Sequence, residues 1–236
     1  MHPSALQNAK YFFEYYTDAS HPATVVDIGA QDVNGSLRDV APSHLNYIGV
    51  DFVRAKGVDI VLTDPYTLPF ESESVDIIVS SSCFEHSEMF WVLFLEILRV
   101  LRPSGLFYMN APSNGLFHRY PVDCWRFYPD SGQALVNWAK RNGLKPVCLE
   151  SYVSDKMEDV WNDYVAVFAK DESLAGVHKN RIINNIDSYT NGSILGRDKL
   201  LRERAVPQDQ SGLMNAIKRR YWFWKQRKLA RLRKAK

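Results

Sequence analysis

The sequence predicts an α/β fold, a doubly wound and mostly parallel sheet of seven strands. Short apolar runs alternate along the chain with stretches of helical period, which is typical of strands joined by helical crossovers. The apolar run at residues 24–28 leads straight into a glycine turn. With 236 residues, 46% of them hydrophobic, the chain can bury one sizeable core. We therefore expect one main domain with appendages.

The seven strands are predicted at residues 24–28, 46–50, 59–62, 75–80, 106–110, 146–150 and 164–169, separated by helix or turn segments. The clearest helix is residues 87–101, where apolar side chains recur every three or four positions. The tetrapeptide Arg102-Pro-Ser-Gly105 is expected to stop this helix. A further helix at residues 132–142 ends in Asn142-Gly143.

Composition divides the chain into four segments. Residues 1–22 are predicted to be an N-terminal helical segment, and residues 23–170 carry the sheet. From residue 171 to 212 the apolar density falls and Asn, Asp and Ser accumulate, so a partly ordered connector is expected. Residues 213–236 form a basic, aromatic tail with ten of the 29 Lys and Arg and no acid. The rest of the chain is therefore acidic, although the net charge is +2.

Cysteine usage and hydropathy exclude several classes of protein. Cys83, Cys124 and Cys148 lack Cys-x-x-Cys spacing, so they are expected to be free thiols and not parts of a disulfide framework or a zinc ribbon. No run approaches the roughly 20 apolar residues of a membrane span, and no signal peptide is visible. The expected location is the cytoplasm.

The first strand and its turn, together with a later acid, predict a pocket for a nucleoside cofactor. Residues 24–35 read as a buried strand followed by a turn, and Asp51 closes the next short strand about 20 residues on. At that spacing a carboxylate after the second strand can accept hydrogen bonds from ribose hydroxyls. Two βα half-units and one acid therefore form the predicted pocket. The alternative is an ordinary strand and turn, with Asp51 capping the next element.

Four sequence blocks resemble those of class I S-adenosylmethionine-dependent methyltransferases. They are Val26-Asp-Ile-Gly-Ala-Gln, Gly49-Val-Asp51, Leu68-Pro-Phe-Glu-Ser-Glu-Ser-Val-Asp-Ile-Ile-Val-Ser80 and Glu96-Ile-Leu-Arg-Val-Leu-Arg-Pro-Ser-Gly-Leu-Phe107. The resemblance spans roughly residues 23–170 and implies a Rossmann-like sheet of six parallel strands. It also implies a reversed seventh strand at residues 164–169, and S-adenosylmethionine as the cofactor.

The resemblance also implies the residues that bind the cofactor: Asp27, Gly29, Ala30, Gln31, Asp51, Asp64, Ser81 and Ser82. Within this set, Asp51 would bind the ribose diol and Asp64 would lie near the adenine amino group. The sequence departs from the family's Gly-x-Gly-x-Gly pattern, because Gln31 and Val33 replace the second and third glycines. A nicotinamide-binding Rossmann domain is disfavoured, since Gly-x-Gly-x-x-Gly is absent from this turn.

The acceptor is expected to bind the long polar and aromatic loop at residues 110–130. Tyr120, Trp125 and Arg126 combine aromatic faces with a hydrogen-bonding group, which suits a sugar. The loop also resembles that of methyltransferases of bacterial surface-glycan (O-antigen or capsule) biosynthesis. Ser80-Ser-Ser-Cys83 stands where DNA amino-methyltransferases carry an Asp/Asn-Pro-Pro-aromatic tetrad, and this disfavours DNA bases as acceptors. We expect O-methylation of a glycan hydroxyl, on a lipid-linked sugar or a free one.

A base is needed because a sugar hydroxyl is a poor nucleophile. His118, oriented by Asp123, is the slightly favoured candidate, and His86 is the second, lying closer to where the donor methyl should be. The alternatives are structural histidines, and an Asp123–Arg126 ion pair that only holds the loop. A metal site from His86, His118 and Asp123 is a further, less favoured alternative, because no ligand spacing supports it.

The basic tail is predicted to be a helix with an apolar stripe of Met214, Ile217, Tyr221 and Trp224. Such a helix suits an anionic membrane surface, so peripheral attachment through residues 213–236 is expected. A solvated tail with its aromatic side chains packed on the body is the second interpretation, and binding to nucleic acid, namely RNA, is the third. Two other functions remain open: an RNA-modifying methyltransferase, and a non-catalytic cofactor-binding module that acts through a partner.

Overall fold

A computed structural model describes residues 2–158, 160–205, 217, 220, 221 and 224. Contacts divide the chain into two units, Met1–Glu203 and Arg204–Lys236. The first unit contains the helices α1 (Pro3–Tyr16), α2 (Phe90–Val100) and α3 (Ser131–Arg141). Its strands are β1 (Thr24–Ile28), β2 (Asn46–Asp51), β3 (Ile60–Val61), β4 (Val75–Ser81), β5 (Leu101–Pro112), β6 (Val147–Ser154), β7 (Asp163–Ala169) and β8 (Tyr189–Ile194). No helix within the described residues is long and apolar enough to cross a membrane.

The strands form one mixed sheet of eight, in the order β3-β2-β1-β4-β5-β7-β6-β8. The pairs from β3 to β5 are parallel, whereas β7 runs antiparallel to both of its neighbours and β8 runs antiparallel to β6. Six strands therefore point one way, and β7 and β8 point the other way. The reversed strand expected at residues 164–169 is confirmed as β7.

The sheet has one strand more than predicted, because β8 lies in the segment that was expected to be a connector. Its composition, Tyr-Thr-Asn-Gly-Ser-Ile, gives a weak strand signal. Pairing with β6 supplies the hydrogen bonds that the local sequence does not specify. The number of strands thus depends on a tertiary partner.

The boundary between α2 and β5 also differs from the prediction. The helix ends at Val100 and the strand begins at Leu101, so Arg102-Pro-Ser-Gly105 lies inside β5. The register between β4 and β5 shifts here, because Val75 pairs with Leu101 but Ile77 pairs with Leu106. A bulge of this kind accommodates a proline that cannot donate to the ladder.

After β1 the chain forms only a 3₁₀ turn, Leu37–Asp39, and not the helix of a βα half-unit. Ser36 caps this turn in a reciprocal capping box with Asp39. Pro42 follows closely and restricts the residue before it to extended backbone, which opposes a longer helix.

The two faces of the sheet bury separate cores. On one face, Ile78, Phe107 and Phe168 pack with Phe94 and Ile97 of α2 and with residues of α3. On the other face, alternate residues such as Val79, Tyr108 and Val167 pack with Phe12 of α1 and with Ile182 of a 3₁₀ turn. Both faces are covered, which is why the central strands read as continuous apolar runs.

The predicted C-terminal helix falls largely outside the described residues. Ile217, Arg220, Tyr221 and Trp224 are helical, and the rings of Tyr221 and Trp224 have centroids 5.9 Å apart. Ile217, Tyr221 and Trp224 are exposed. Met214, the fourth member of the predicted stripe, is not among the described residues.

Candidate active site

The carboxyl ends of the parallel strands form the candidate site. Gly29 follows β1, Asp51 ends β2, Ser82 follows β4 and Ser113 follows β5. Because parallel strands end at the same edge of a sheet, the predicted cofactor and acceptor residues are gathered there. Ligands of open α/β sheets bind at this edge.

Gly29 makes the tight turn that the sequence predicts after β1. Its φ of +82° lies in the left-handed region, and its amide donates to the Val50 carbonyl at 3.0 Å. A Cβ at this position would lie 2.6 Å from Cβ of Cys83, so the turn accommodates only glycine. The segment that begins at Cys83 therefore lies directly against the first loop.

Asp51 lies where the first loop and β2 meet. It is only 7% exposed, and its Oδ2 accepts a hydrogen bond from the Gln31 amide at 3.3 Å. Its Oδ1 accepts from the Val53 amide at 3.1 Å. Ala30, also buried, donates its amide to the Val50 carbonyl at 3.2 Å. Each Asp51 oxygen keeps a second lone pair, so the carboxylate can still bind a diol.

Asp27 and Asp64 already have protein partners. Asp27 is buried in β1, and its Oδ2 accepts from the Tyr47 hydroxyl at 2.7 Å. Burial raises the pKa of Asp27 to about 7. Asp64 is exposed and closes a turn by accepting from the Tyr66 amide at 3.0 Å and the Thr67 hydroxyl at 2.7 Å. The cofactor roles of these two acids remain predictions.

Ser81 and Ser82 end the fourth strand differently. The Ser81 hydroxyl is buried and accepts from Nδ2 of Asn110 at 3.3 Å. Ser82 has a left-handed φ of +51°, and its buried Oγ has no hydrogen-bond partner within the described part of the chain. Left-handed backbone at a non-glycine residue costs roughly 1–2 kcal/mol and is concentrated at functional sites. The Ser82 hydroxyl is therefore the member of this pair that is free for a ligand.

The long loop after β5 folds back onto the segment after β4. The amides of Cys124 and Trp125 both donate to the Glu85 carbonyl, at 2.8 and 3.1 Å. Nε1 of Trp125 donates to the Ser87 carbonyl at 2.9 Å. These bonds fix the acceptor loop beside the segment at residues 83–87. The aromatic ring of Tyr120, by contrast, is mostly exposed.

Asp123 and Arg126 hold the loop together. The guanidinium donates to both Asp123 oxygens, at 2.5 and 2.9 Å, and to the Leu116 carbonyl at 2.8 Å. Arg126 thereby lowers the pKa of Asp123 to about 2. The Asp123 carboxylate also accepts from the backbone amide of His118 at 2.7 Å. This is the ion pair that the sequence left open as the alternative to a role in catalysis.

His86 and His118 meet at the carboxyl edge although they come from different loops. Their ring centroids are 5.0 Å apart in an edge-to-face arrangement. Nδ1 of His86 donates to the Val122 carbonyl, and Nδ1 of His118 is 3.1 Å from the Leu116 carbonyl. Nδ1 of His118 is 3.5 Å from Asp123, so the carbonyl is its closer partner. A carbonyl only accepts, so each ring carries a proton on Nδ1, and in the neutral imidazole Nε2 then keeps its lone pair.

Glu85 brings a carboxyl group to the same place. Its side chain is 1% exposed, and Oε1 lies 3.7 Å from Nε2 of His86. Oε2 is buried and has no hydrogen-bond partner among the residues that the structure describes. Burial raises the pKa of Glu85 to about 8 and lowers the pKa of His86.

Trp161 is a residue of this site that no sequence motif indicated. Its ring centroid lies 5.0 Å from that of His118, and the Arg126 guanidinium lies 5.8 Å from the ring. A Cβ on Gly115 would lie 1.9 Å from the Trp161 ring, so the loop approaches the indole as closely as glycine permits. Trp161 therefore packs against both His118 and the Arg126 guanidinium.

Comparison with known sequences supports one family. Residues 9–109 match the family described as "Methyltransferase domain", and this match includes β1, β2 and β4 with the cofactor loop. The match supports a class I S-adenosylmethionine-dependent methyltransferase. An uncharacterized methyltransferase of Mycobacterium marinum is 38% identical to it over 134 residues, which are 55% of this chain and 47% of the relative. The chain thus spans about half of that relative's length.

A second relative of the methyltransferase domain has a named acceptor. It is the phthiotriol/phenolphthiotriol dimycocerosates methyltransferase 1 of Mycobacterium ulcerans, 35% identical over 105 residues, or 42% of this chain and 34% of the relative. Among solved structures, the 1,6-didemethyltoxoflavin-N1-methyltransferase of Burkholderia thailandensis has a TM-score of 0.54 and 16% identity. The alignment covers 72% of this chain and 79% of that one, and the likeness concerns the fold alone.

S-adenosylmethionine is the cofactor of this family, and the methyltransferase domain has groups that fit it. Asp51 offers two carboxylate lone pairs at the end of β2, and Ser82 offers a buried hydroxyl at the end of β4. Gly29 and Ala30 keep the backbone of the first loop free of large side chains. Ribose hydroxyls need acceptors such as the Asp51 carboxylate. The hydrogen-bonding groups of these residues therefore suit the binding of this cofactor.

Proposed function

We propose that this protein transfers a methyl group from S-adenosylmethionine to a hydroxyl oxygen of a glycan. The cofactor supplies an electrophilic methyl group when it is bound. The observation that supports this proposal is that His86 and His118 each have an Nε2 atom able to accept a proton. Both histidines lie near the place where Cys83 packs against the Gly29 turn. A site that methylates oxygen needs such groups, because the acceptor hydroxyl must lose its proton as the new bond forms.

Of the two imidazoles, His86 is the better placed next to the cofactor loop. It lies three residues after Cys83, which is in contact with Gly29. Its ring orientation is fixed by the Val122 carbonyl and its side chain is 14% exposed, whereas that of His118 is 37% exposed. His118 lies on the acceptor loop itself, and its ring packs against Trp161. Together with Glu85 they form the acceptor-activating cluster, a name used below for Glu85, His86 and His118.

The glycan assignment is supported by the exposed rings of the acceptor loop and by a separate cavity whose lining contains none of the cluster residues. The loop exposes aromatic rings, Tyr120 and Trp125, on which the apolar face of a sugar can pack. A cavity of about 290 Å³ opens between α1 and the ends of β6 and β8. Its lining is rich in hydroxyl, amide and charged groups: Ser4, Gln7, Asn8, Tyr11, Lys156 and Asp187. Such a lining suits a ligand with many hydroxyls.

Methyl-labelled S-adenosylmethionine, incubated with the protein and a cell lysate, tests the proposal. We expect label in the lipid or polysaccharide fraction. Asp51→Ala should weaken binding of S-adenosylhomocysteine at least tenfold in calorimetry, about 1.4 kcal/mol, because a charge-assisted hydrogen bond is lost. The same variant should abolish the label. His86→Asn should leave cofactor binding intact and reduce the label at least about 100-fold, as for the loss of acid–base catalysis.

Two matched variants control for general damage. Asp76 lies at the start of β4, and Asp76→Asn keeps an acceptor for the Thr24 amide, so cofactor binding should not change. His21 is exposed, and His21→Asn should not change labelling. Label in RNA would refute the glycan assignment. Tight cofactor binding without label in any fraction would instead favour a non-catalytic module.

A further inference from the structure

We propose that the acceptor-activating cluster binds a divalent metal ion. One potential ligand atom each from Glu85, His86 and His118 lies within 4.8 Å of those of the other two residues. The proposal deepens the proposed function, because it names what activates the acceptor oxygen. Metal binding itself can be measured without methyl transfer.

The distances suit a shared ion. Nε2 of His86 and Oε1 of Glu85 are 3.7 Å apart. Two ligands that are each about 2.1 Å from a tetrahedral zinc ion are about 3.4 Å apart. A contraction of a few tenths of an ångström would therefore bring these two atoms to bonding distance of one ion. His118 lies on the loop that docks on Glu85, so it can close onto the same point.

The hydrogen bonds around both imidazoles are those of metal ligands. Histidines that bind metals donate their second ring nitrogen to a carbonyl or a carboxylate, which fixes the tautomer and the ring orientation. Nδ1 of His86 has the Val122 carbonyl as its partner, and Nδ1 of His118 has the Leu116 carbonyl. The two lone pairs that remain are on Nε2, which is the atom that a metal needs.

The carboxyl group supplies an independent observation. Glu85 is almost completely buried, and its Oε2 has no hydrogen-bond partner within the described residues. A buried carboxyl oxygen without a partner costs about 1–3 kcal/mol. Coordination to a cation through both carboxylate oxygens would satisfy it. The Glu85 backbone is fixed as well, because its carbonyl accepts from two amides of the acceptor loop.

Two histidines and one carboxylate leave a coordination position open. This donor set is that of catalytic zinc sites, in which a fourth position takes water or substrate. A hydroxyl bound at such a position would lose its proton more readily, as zinc-bound water does, and the proton would pass to solvent because His86 and His118 would then be ligands and not bases. The cluster can therefore present an acceptor hydroxyl to the cofactor side of the site. Zinc is the ion that we expect.

Calorimetric titration of the full-length protein, first stripped with a chelator, with ZnCl₂ tests this proposal. We expect one zinc ion per chain. Glu85→Gln and His118→Asn should each weaken zinc binding at least tenfold, because each removes a ligand. His118 is partly exposed, so His118→Asn serves as the variant whose fold is least at risk. Thermal unfolding of the metal-free variants will verify that both are folded.

Two controls exclude other ligands. His21→Asn removes an exposed histidine that lies in a turn with Asp18, and zinc affinity should not change. Cys124→Ser removes an exposed thiol, and the single site should persist. Cobalt should give the visible absorption of a tetrahedral site in the wild type, and this absorption should be lost in Glu85→Gln.

Absence of a one-to-one site, or binding that persists in both ligand variants, would overturn the metal proposal. The proposed function would then stand with His86 as the base. Conversely, metal binding without transfer of label would overturn the proposed function and leave the metal site established. The two proposals therefore fail separately.

Discussion

At the scale of single residues, two acids near the start of the sheet have opposite surroundings. Asp51 receives two backbone amides at the strand end, which suits an ionised carboxylate. Asp27 lies one strand away, inside the sheet, and its described partner is the Tyr47 hydroxyl. Arg38 stacks over the Tyr47 ring at 4.7 Å and favours the ionised form of Asp27 only from a distance. Sequence motifs indicate both acids as candidate cofactor residues. In the structure Asp51 lies at the strand end, where a ligand can reach it, whereas Asp27 is buried inside the sheet.

The Asp27 environment predicts a pH-dependent cost to folding. Burial raises the Asp27 pKa from 3.8 to about 7, so between these values the folded protein keeps a proton that the unfolded chain releases. The free energy of unfolding should therefore fall as pH rises through this window. Asp27→Asn should remove the dependence. The free energy of unfolding of Asp27→Asn should exceed that of the wild type by near zero at about pH 4 and by at most about 4 kcal/mol at about pH 8. Urea titrations measure this difference.

The Tyr47 hydroxyl provides the matched control. It donates to Asp27 and lowers its pKa, so Tyr47→Phe should extend the loss of stability to higher pH. If the free energies of unfolding of Asp27→Asn and wild type differ by the same amount at every pH, Asp27 does not titrate between about pH 4 and about pH 8.

At the scale of elements, one buried acid joins three parts of the chain. Glu150, in β6, accepts from the Tyr16 hydroxyl of α1 at 2.5 Å. It also accepts from the backbone amides of Ile182 and Ile183, at 2.7 and 2.9 Å. The 3₁₀ turn that begins at Ile182 leads into β8, which pairs with β6. The position of the last strand therefore depends on Glu150 as well as on its own backbone pairing.

Glu150→Gln should destabilise this arrangement. The amide replaces one acceptor oxygen with a donor, which then faces a backbone N–H or the tyrosine hydroxyl. We expect a loss of about 2–3 kcal/mol in urea unfolding, with reduced hydrogen-exchange protection in β8.

Tyr16→Phe is the milder comparison, since it removes one hydrogen bond and should cost about 1 kcal/mol. Equal losses in the two variants, or an unchanged exchange rate in β8, would show that Glu150 does not hold the turn.

At the scale of the whole molecule, α1 contributes to the functional edge as well as to the core. Ser4 donates to Oδ2 of Asp163 at 2.7 Å, and Nδ2 of Asn8 donates to Oδ1 of Asn110 at 3.1 Å. The Tyr152 hydroxyl donates in turn to Asn8 at 3.2 Å. The N-terminal helix is thus tied to β5, β6 and β7 at the end of the sheet where the candidate site lies.

The division of the chain after Glu203 predicts the result of truncation. A chain that ends at Glu203 should keep its unfolding midpoint and its affinity for S-adenosylhomocysteine, because the unit Met1–Glu203 is intact. The same chain should lose association with anionic vesicles, if residues 213–236 form the membrane attachment that we propose from their charge and aromatic content. Sedimentation with vesicles measures this.

A chain that ends at Lys170 is the contrasting variant. It lacks β8 and the Ile182 turn, and it exposes Leu149 and Tyr152, so it should unfold at a lower temperature. A chain ending at Glu203 that still sediments with vesicles would refute attachment through the tail.

The sequence by itself determined that the sheet is mostly parallel, and it showed the family resemblance that implies the cofactor. These depend on local patterns: apolar runs for β1, β2 and β4, the glycine that must follow β1, and an acid at the end of β2. Gly29 and Asp51 could be found because backbone conformation and strand position fix their roles. The strands predicted at residues 24–28 and 164–169 agree with β1 and β7 to within one residue.

Only the tertiary structure decided which polar groups meet. Glu85 and His86 are adjacent in sequence but His118 is distant from them, and the three converge because the loop after β5 docks on the Glu85 carbonyl. Trp161 and Glu150 gave no signal, since their partners lie far away along the chain. The sequence of the eighth strand has only a weak strand propensity. The strand forms because the free edge of β6 supplies backbone hydrogen bonds. Long-range packing and hydrogen bonding, which a linear pattern does not encode, built the candidate site.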